Sequence, residues 1–205
     1  MKRTLYFLFV FVLLSVSCQK ELIRDLNRIE DIIDSAPDSA LFLLESIPEG
    51  RIITTEDKAM YSLLLSMALD KSYIDLQNDS IIIKAVNYYS ARDISYHRMK
   101  SWYYEGVVLY NQGSYSSSIV ALEKAERDAL LLKDRYYLGL INSKKASIFN
   151  TWSNLSSAID CQKKAIYYFR KAGKKEHVDY AILALGIALY NDKQYNQNAN
   201  DLYLK

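Results

Sequence analysis

Few side chains in this sequence could make or break a bond or hold a metal: the cysteines Cys18 and Cys161, and the histidines His97 and His177. A thiolate can serve as nucleophile or ligand, and an imidazole as base or ligand. Neither histidine lies in a His, Cys and carboxylate pattern of metal-ligand spacing, so both read as surface residues near helix starts. Cys161 lies in Ala158-Ile159-Asp160-Cys161 and reads as a small, buried, apolar helical residue. The carboxylate pairs Glu30-Asp31 and Glu123 with Glu126 lie on helices whose apolar stripes face elsewhere, and read as solvated faces. No glycine-rich phosphate loop and no nucleophile elbow occurs. The sequence therefore predicts a protein that is not an enzyme, with no catalytic residues, no cofactor and no metal.

Cys18 has a distinctive context. Lys2 and Arg3 precede the apolar run Leu5 to Leu14, and Ser15-Val16-Ser17 leads to the cysteine. That run falls well short of the roughly 20 residues needed to span a bilayer, so residues 1–17 read as a signal peptide that is removed. Ser17-Cys18 resembles the lipobox of bacterial lipoproteins. It departs from the pattern at Ser15, where Leu is usual, although Leu14 lies one step earlier. The resemblance implies that Cys18 is the lipid-attachment residue and the new N-terminus, with residues 18–21 as the lipidated tether. Several acyl chains would give a stable anchor. An ordinary secretory signal with an incidental cysteine is the alternative. With Cys18 lipidated, Cys161 has no partner for an internal disulfide. Gln19-Lys20-Glu21 is similar to the short surface-export signal of Bacteroidota-type lipoproteins, but Leu22 stands where a second acidic residue would. These likenesses imply an outer-membrane lipoprotein of the cell envelope, on the periplasmic face or the cell surface.

Discarding residues 1–17 removes Lys2 and Arg3 and leaves basic and acidic side chains equal in number. A balanced charge gives no electrostatic reason to expect nucleic acid as a partner. Six glycines and two prolines in 205 residues argue for long helices joined by short connections. Leu22, Leu26, Ile29 and Ile33 mark one helical face, ended before Pro37. Asp38 is expected to cap a second helix running through Ala40, Leu41, Leu43, Leu44 and Ile47. A helix over 55–71, opened by Thr55-Glu56-Asp57, is expected to pair with one over 79–91 capped at Asp79-Ser80.

Further along, the pattern repeats. Gly106, Ala146 and Gly186 are evenly spaced, and Ala125 and Ala165 keep the same interval. Tyr110-Asn111 with Tyr115 recurs two intervals later as Tyr190-Asn191 with Tyr195. A small residue at a fixed point lets two helices approach closely, and repeats of this length indicate stacked helical hairpins. Trp102, Gly106, Tyr115, Leu122 and Ala125 resemble the tetratricopeptide-repeat (TPR) family, departing at Glu105 and Ser118. Weaker matches follow at Ala146, Phe149, Ala158 and Ala165, with Asn142 in place of Trp, and then at Leu185-Gly186, Leu189 and Tyr195. The resemblance, to TPR lipoproteins of the Bacteroidota type, covers residues 22–205. It implies an all-α chain, a right-handed α-solenoid of about five TPR-like helical hairpins. The last hairpin is expected to be incomplete, with Leu202-Tyr203-Leu204-Lys205 inside its second helix.

In that family the first helix of each hairpin lines a concave groove. Carried over, this places Tyr103, Val107, Tyr110 and Asn111 in a partner-binding groove, with Ser143, Ser147, Asn150 and Thr151 from the next hairpin and Tyr180, Ile187, Tyr190 and Asn191 from the last. Tyr offers contact area at low entropic cost, and Asn can bond a peptide backbone. Tyr110 and Tyr190 suit either the groove or the interhelical core, whereas Tyr115 and Tyr195 suit the core. The positions that clamp a C-terminal carboxylate in some relatives hold Tyr103, Val107, Ser143 and Ala184 here, with only Lys144 basic, so that mode is not expected. The function implied is a lipid-anchored, non-enzymatic TPR scaffold that binds an unknown protein or peptide. Alternatives are a truncated sensory or regulatory relative, an outer-membrane assembly lipoprotein, and a glycan-capture protein.

Overall fold

The computed structural model describes residues 21–203, with side chains over 21–193. The expected signal peptide, Cys18 and the Tyr195 side chain lie outside the described residues. The described chain is all-helical, and no strand occurs among the described residues. The helices are α1 (21–32), α2 (Pro37–Glu45), α3 (Thr55–Lys71), α4 (Ile82–Ser90), α5 (Tyr96–Asn111), α6 (Tyr115–Leu132), α7 (Arg135–Thr151), α8 (Leu155–Lys171) and α9 (Lys175–Tyr203). The chain divides after Asp93 into two compact units.

In the first unit the predicted stripe Leu22, Leu26, Ile29 and Ile33 is buried, as are Ala40 and Leu44 of α2. α2 packs on α3, and α3 on α4. α3 begins with a capping box: the Thr54 hydroxyl accepts from the Asp57 N–H, and the Asp57 carboxylate accepts from the Thr54 N–H. Two expected caps are different in the structure. Ala36 is the N-cap of α2, with Pro37 opening the first turn, and Asp38 instead accepts a hydrogen bond from the Ser72 hydroxyl at 2.6 Å. Proline's fixed φ already suits the first helical turn, so no capping side chain is required there. α4 starts at Ile82 rather than near 79, because the Asn78 carboxamide oxygen takes the Ser80 N–H and holds the backbone in a turn. Leu43 is exposed rather than packed.

In the second unit each helix packs on the next from α5 to α9, and α5 also touches α7. The helix ends share one device. Gly113, Lys133, Ser153 and Gly173, evenly spaced along the chain, adopt φ of 75°, 57°, 56° and 70°. At each, the N–H of the following residue reaches back to a carbonyl one helical turn and more earlier: Ser114 to Leu109, Asp134 to Ala129, Asn154 to Phe149 and Lys174 to Phe169. This left-handed stop satisfies carbonyls that the helix end would otherwise orphan. The residue after the stop opens the next helix. Asp134 and Asn154 accept from the Tyr137 and Ser157 N–H groups at 2.9 and 3.2 Å. A helix can therefore end and its successor begin almost at once. In the first unit Tyr73 (φ 59°) ends α3 the same way, with Ile74 bonding back to Leu69, and it precedes Gly113 by two of the same intervals.

The close approach predicted at Gly106 is present. A Cβ built there would lie 2.8 Å from Leu122 side-chain carbons, and the buried Ser118 hydroxyl donates to the Gly106 carbonyl at 2.6 Å. α9 departs from the repeat frame. The frame sets a second helix after Asn191, but α9 runs unbroken from Lys175 to Tyr203.

Candidate partner-binding face

Helices α5 and α7 are joined by aromatic rings. Tyr103 meets Tyr104 and Tyr137 edge-on at 5.0 and 5.4 Å between centroids, and Tyr137 meets Tyr136 at 5.8 Å. Tyr136 then contacts Phe169 of α8 at 6.2 Å and His177 of α9 at 5.2 Å. Edge-to-face contact aligns positive ring edges with negative faces, and such pairs add about 0.5–1.5 kcal/mol beyond area burial. The Tyr136 hydroxyl and His177 Nε2 lie 3.2 Å apart, within hydrogen-bond distance. His177 is thus a half-buried member of an interhelical cluster rather than a bare surface residue. Sequence reasoning also passed over Gly139, where a Cβ would lie 2.5 Å from the Phe169 ring. Phe169 needs that space to pack against α7.

This ladder takes two of the expected groove residues inward. Tyr103 is 5% exposed and Val107 2%. In this conformation neither presents a side chain to a partner, because the neighbouring helices fill the space around them. Tyr110 is half-buried, with its ring 5.6 Å from Tyr115 and the Lys144 ammonium of α7 4.8 Å from its centroid. Asn111, Ser143 and Ser147 are also half-buried. The Ser147 hydroxyl donates to the Ser143 carbonyl at 3.3 Å and the Thr151 hydroxyl to the Ser147 carbonyl at 3.1 Å. Asn150 and Thr151 are exposed at the end of α7. On α9 Tyr180, Ile187 and Tyr190 are 74%, 54% and 64% exposed, and Asn191 is exposed with them. The structure thus brings Tyr110 beside Lys144 and leaves the α9 set open to solvent.

No family model, curated protein or solved structure matches this chain. Its site must therefore be read from its own side chains.

Several charged groups hold neighbouring helices together. Arg98 of α5 grips Asp128 of α6 through two hydrogen bonds of 2.7 Å, and the Asp128 side chain is buried. Glu126, expected on a solvated face, instead accepts from Lys145 at 2.9 Å and from the buried Asn142 at 3.2 Å. That position differs from expectation because α7 crosses the α6 face that carries it, which a single-helix pattern does not reveal. Burial raises the Cys161 thiol above its ordinary pKa, against the lowering influence of Lys145 and Lys164. A protonated, buried thiol is a poor nucleophile. Among the described residues no cluster of His, Cys, Asp or Glu could hold a metal, and no helix is long and apolar enough to cross a membrane. The exposed surface of α9 offers the Tyr180 and Tyr190 rings and the Asn191 amide, and the end of α7 adds the Asn150 amide and the Thr151 hydroxyl.

Proposed function

We propose that this chain is a non-enzymatic scaffold, a right-handed solenoid of TPR-like hairpins tethered to the bacterial outer membrane through lipidated Cys18, and that it binds a protein or peptide. The observation that carries the reading is the series of left-handed helix stops at Gly113, Lys133, Ser153 and Gly173. Their even spacing makes α5–α6 and α7–α8 successive hairpins of equal length, within the range of helical repeats. Contact between α5 and α7 through Tyr103 and Tyr137 is the first-helix-to-first-helix contact that such stacking requires. The recognition residues are Tyr180, Ile187, Tyr190 and Asn191 on α9, with Asn150 and Thr151 on α7 and the Tyr110–Lys144 pair at the edge. Large amphipathic rings on a helix face provide contact area at small entropic cost.

The test uses photo-crosslinking amino acids in intact cells. Probes at Tyr180 and Tyr190 are expected to capture a common protein adduct that a probe at buried Tyr103 does not. Equal capture from all three sites, or from none, overturns the assignment of this face. The anchor is tested separately, since Cys18→Ala should move the protein from the membrane to the soluble fraction. Unchanged membrane association defeats the lipid tether.

A further inference from the structure

We infer that the first unit carries a binding cleft for a small zwitterion, an amino acid with an apolar side chain, where the connection from α2 to α3 passes the faces of α3 and α4. The inference concerns a different part of the chain from the partner-binding face. It rests neither on the repeat spacing nor on the lipid anchor. The cleft has a volume of about 300 Å³. That is the lower end of the range for ligand sites and suits a molecule of amino-acid size. Its outer wall is held in place. Glu49–Arg51 forms a single 3₁₀ turn, in which the Arg51 and Ile52 N–H groups donate to the Pro48 and Glu49 carbonyls at 2.9 and 3.0 Å. The Arg51 guanidinium also reaches the Asp25 carboxylate of α1 at 3.0 Å.

Lys58 of α3, Lys84 of α4 and Glu49 of the connection all line this cleft, yet among the described residues none of the three forms an ion pair. Opposite charges that share a cleft without meeting leave a space that a molecule bearing both charges fills. Ser62 independently points to a ligand. Its side chain is 3% exposed, and its hydroxyl has no partner among the described residues. One turn later the Ser66 hydroxyl donates back to the Ser62 carbonyl at 2.9 Å. No fully enclosed polar side-chain atom among the described residues lacks a partner, so the Ser62 oxygen opens onto the cleft that it lines. A nearly buried donor left unpaired is costly, and a ligand carboxylate relieves that cost. Burial, and then Glu45 and Glu49, raise the pKa of the Tyr61 phenol in the same wall, so it stays protonated and able to donate. The two ammonium groups and the Ser62 hydroxyl thus receive a carboxylate, and Glu49 receives an ammonium. The half-buried Ile47 and Ile52 cover the apolar side chain. A plain acid would be repelled by Glu49, and a plain amine by both lysines.

Free leucine is the probe, titrated into the full-length protein in detergent while backbone amide shifts are followed by NMR. Shifts in the 47–62 segment and around Lys84 are expected to saturate with a Kd of about 1 mM, a modest value because exposed ion pairs contribute little. Isocaproate, which is leucine without its ammonium, and isopentylamine, which lacks the carboxylate, should each bind about tenfold more weakly. Replacing Lys58→Met together with Lys84→Met should weaken leucine by about tenfold, and Ser62→Ala by about fivefold. Glu49→Gln should weaken leucine and bring isocaproate level with it. Lys58, Lys84 and Glu49 are exposed, so these substitutions should leave the unfolding midpoint of the first unit in place. The absence of saturable shifts up to about 50 mM leucine, well beyond the expected Kd, overturns the inference. Isocaproate binding as tightly as leucine to the unsubstituted protein also overturns it, as does leucine binding that survives the double lysine substitution. None of these failures touches the crosslinking test of the partner-binding face or the test of the anchor.

Discussion

Helices α5 and α9 carry the same signature in the same phase, and the structure treats them in opposite ways. Tyr103, Val107 and Gly106 on α5 are covered by neighbouring helices, whereas their counterparts Leu183, Ile187 and Gly186 on α9 meet solvent. Residue types alone do not account for the difference, since Leu and Ile are at least as apolar as Tyr and Val. What separates the helices is the set of neighbours: α5 has both α6 and α7 against it, and α9 packs on α8. Burial is conferred by the adjoining elements, so positions in the same sequence phase with fewer neighbours stay open to solvent.

Paired substitutions can break or sharpen this contrast, with stability read as the shift in denaturant midpoint of the unfolding transition that contains α5–α9. The largest effect is expected for Tyr103→Ala, a loss of about 3–5 kcal/mol from removing a buried ring. Its counterpart Leu183→Ala should stay within about 0.5 kcal/mol, as exposed sites usually do. Equal losses would mean that α9 is packed in solution. Asp128→Ala leaves the Arg98 guanidinium, largely buried between α5 and α6, without its carboxylate, and about 3 kcal/mol should be lost. The Arg98 counterpart on α9 is Val178, and Val178→Ala should cost about 1 kcal/mol, since only partly buried methyl groups are removed.

The glycines give smaller shifts of opposite sign. Gly106→Ala forces a methyl group against Leu122 and should destabilise by about 1–2 kcal/mol. Gly186→Ala meets open space in the straight helix and should stabilise by about 0.5–1 kcal/mol through helix propensity. A destabilising Gly186→Ala would instead reveal a close neighbour at that face in solution. The smallest effect is expected for Tyr190→Ala, within about 0.5 kcal/mol in stability, with partner capture falling much further. Matching losses in both would place the ring in the core.

Much of the helical organisation is legible without coordinates. The spacing of Leu22, Leu26, Ile29 and Ile33 and the close approach at Gly106 follow from local periodicity and from the absence of a side chain. The stops at Lys133 and Ser153 could not be found that way, because a left-handed residue that is not glycine leaves no mark in composition. Phe169 over Gly139 and Glu126 under Lys145 were hidden for a related reason, as each joins residues on different helices. Tyr103 and Val107 illustrate the same limit at the candidate site. Their place on a first helix follows from the repeat frame, but whether that face looks inward depends on how far α7 leans toward α5.

By itself, the sequence determined that the chain is helical, where α3 begins, and that small residues recur at a fixed interval. Those properties are set locally along the chain, by side-chain entropy, capping groups and apolar spacing. Tertiary structure decided which tyrosines are covered, which carboxylates are paired, and that α9 presents Tyr180, Ile187 and Tyr190 to solvent. Burial is a property of what lies across from a residue, and what lies across is contributed by segments distant in the chain.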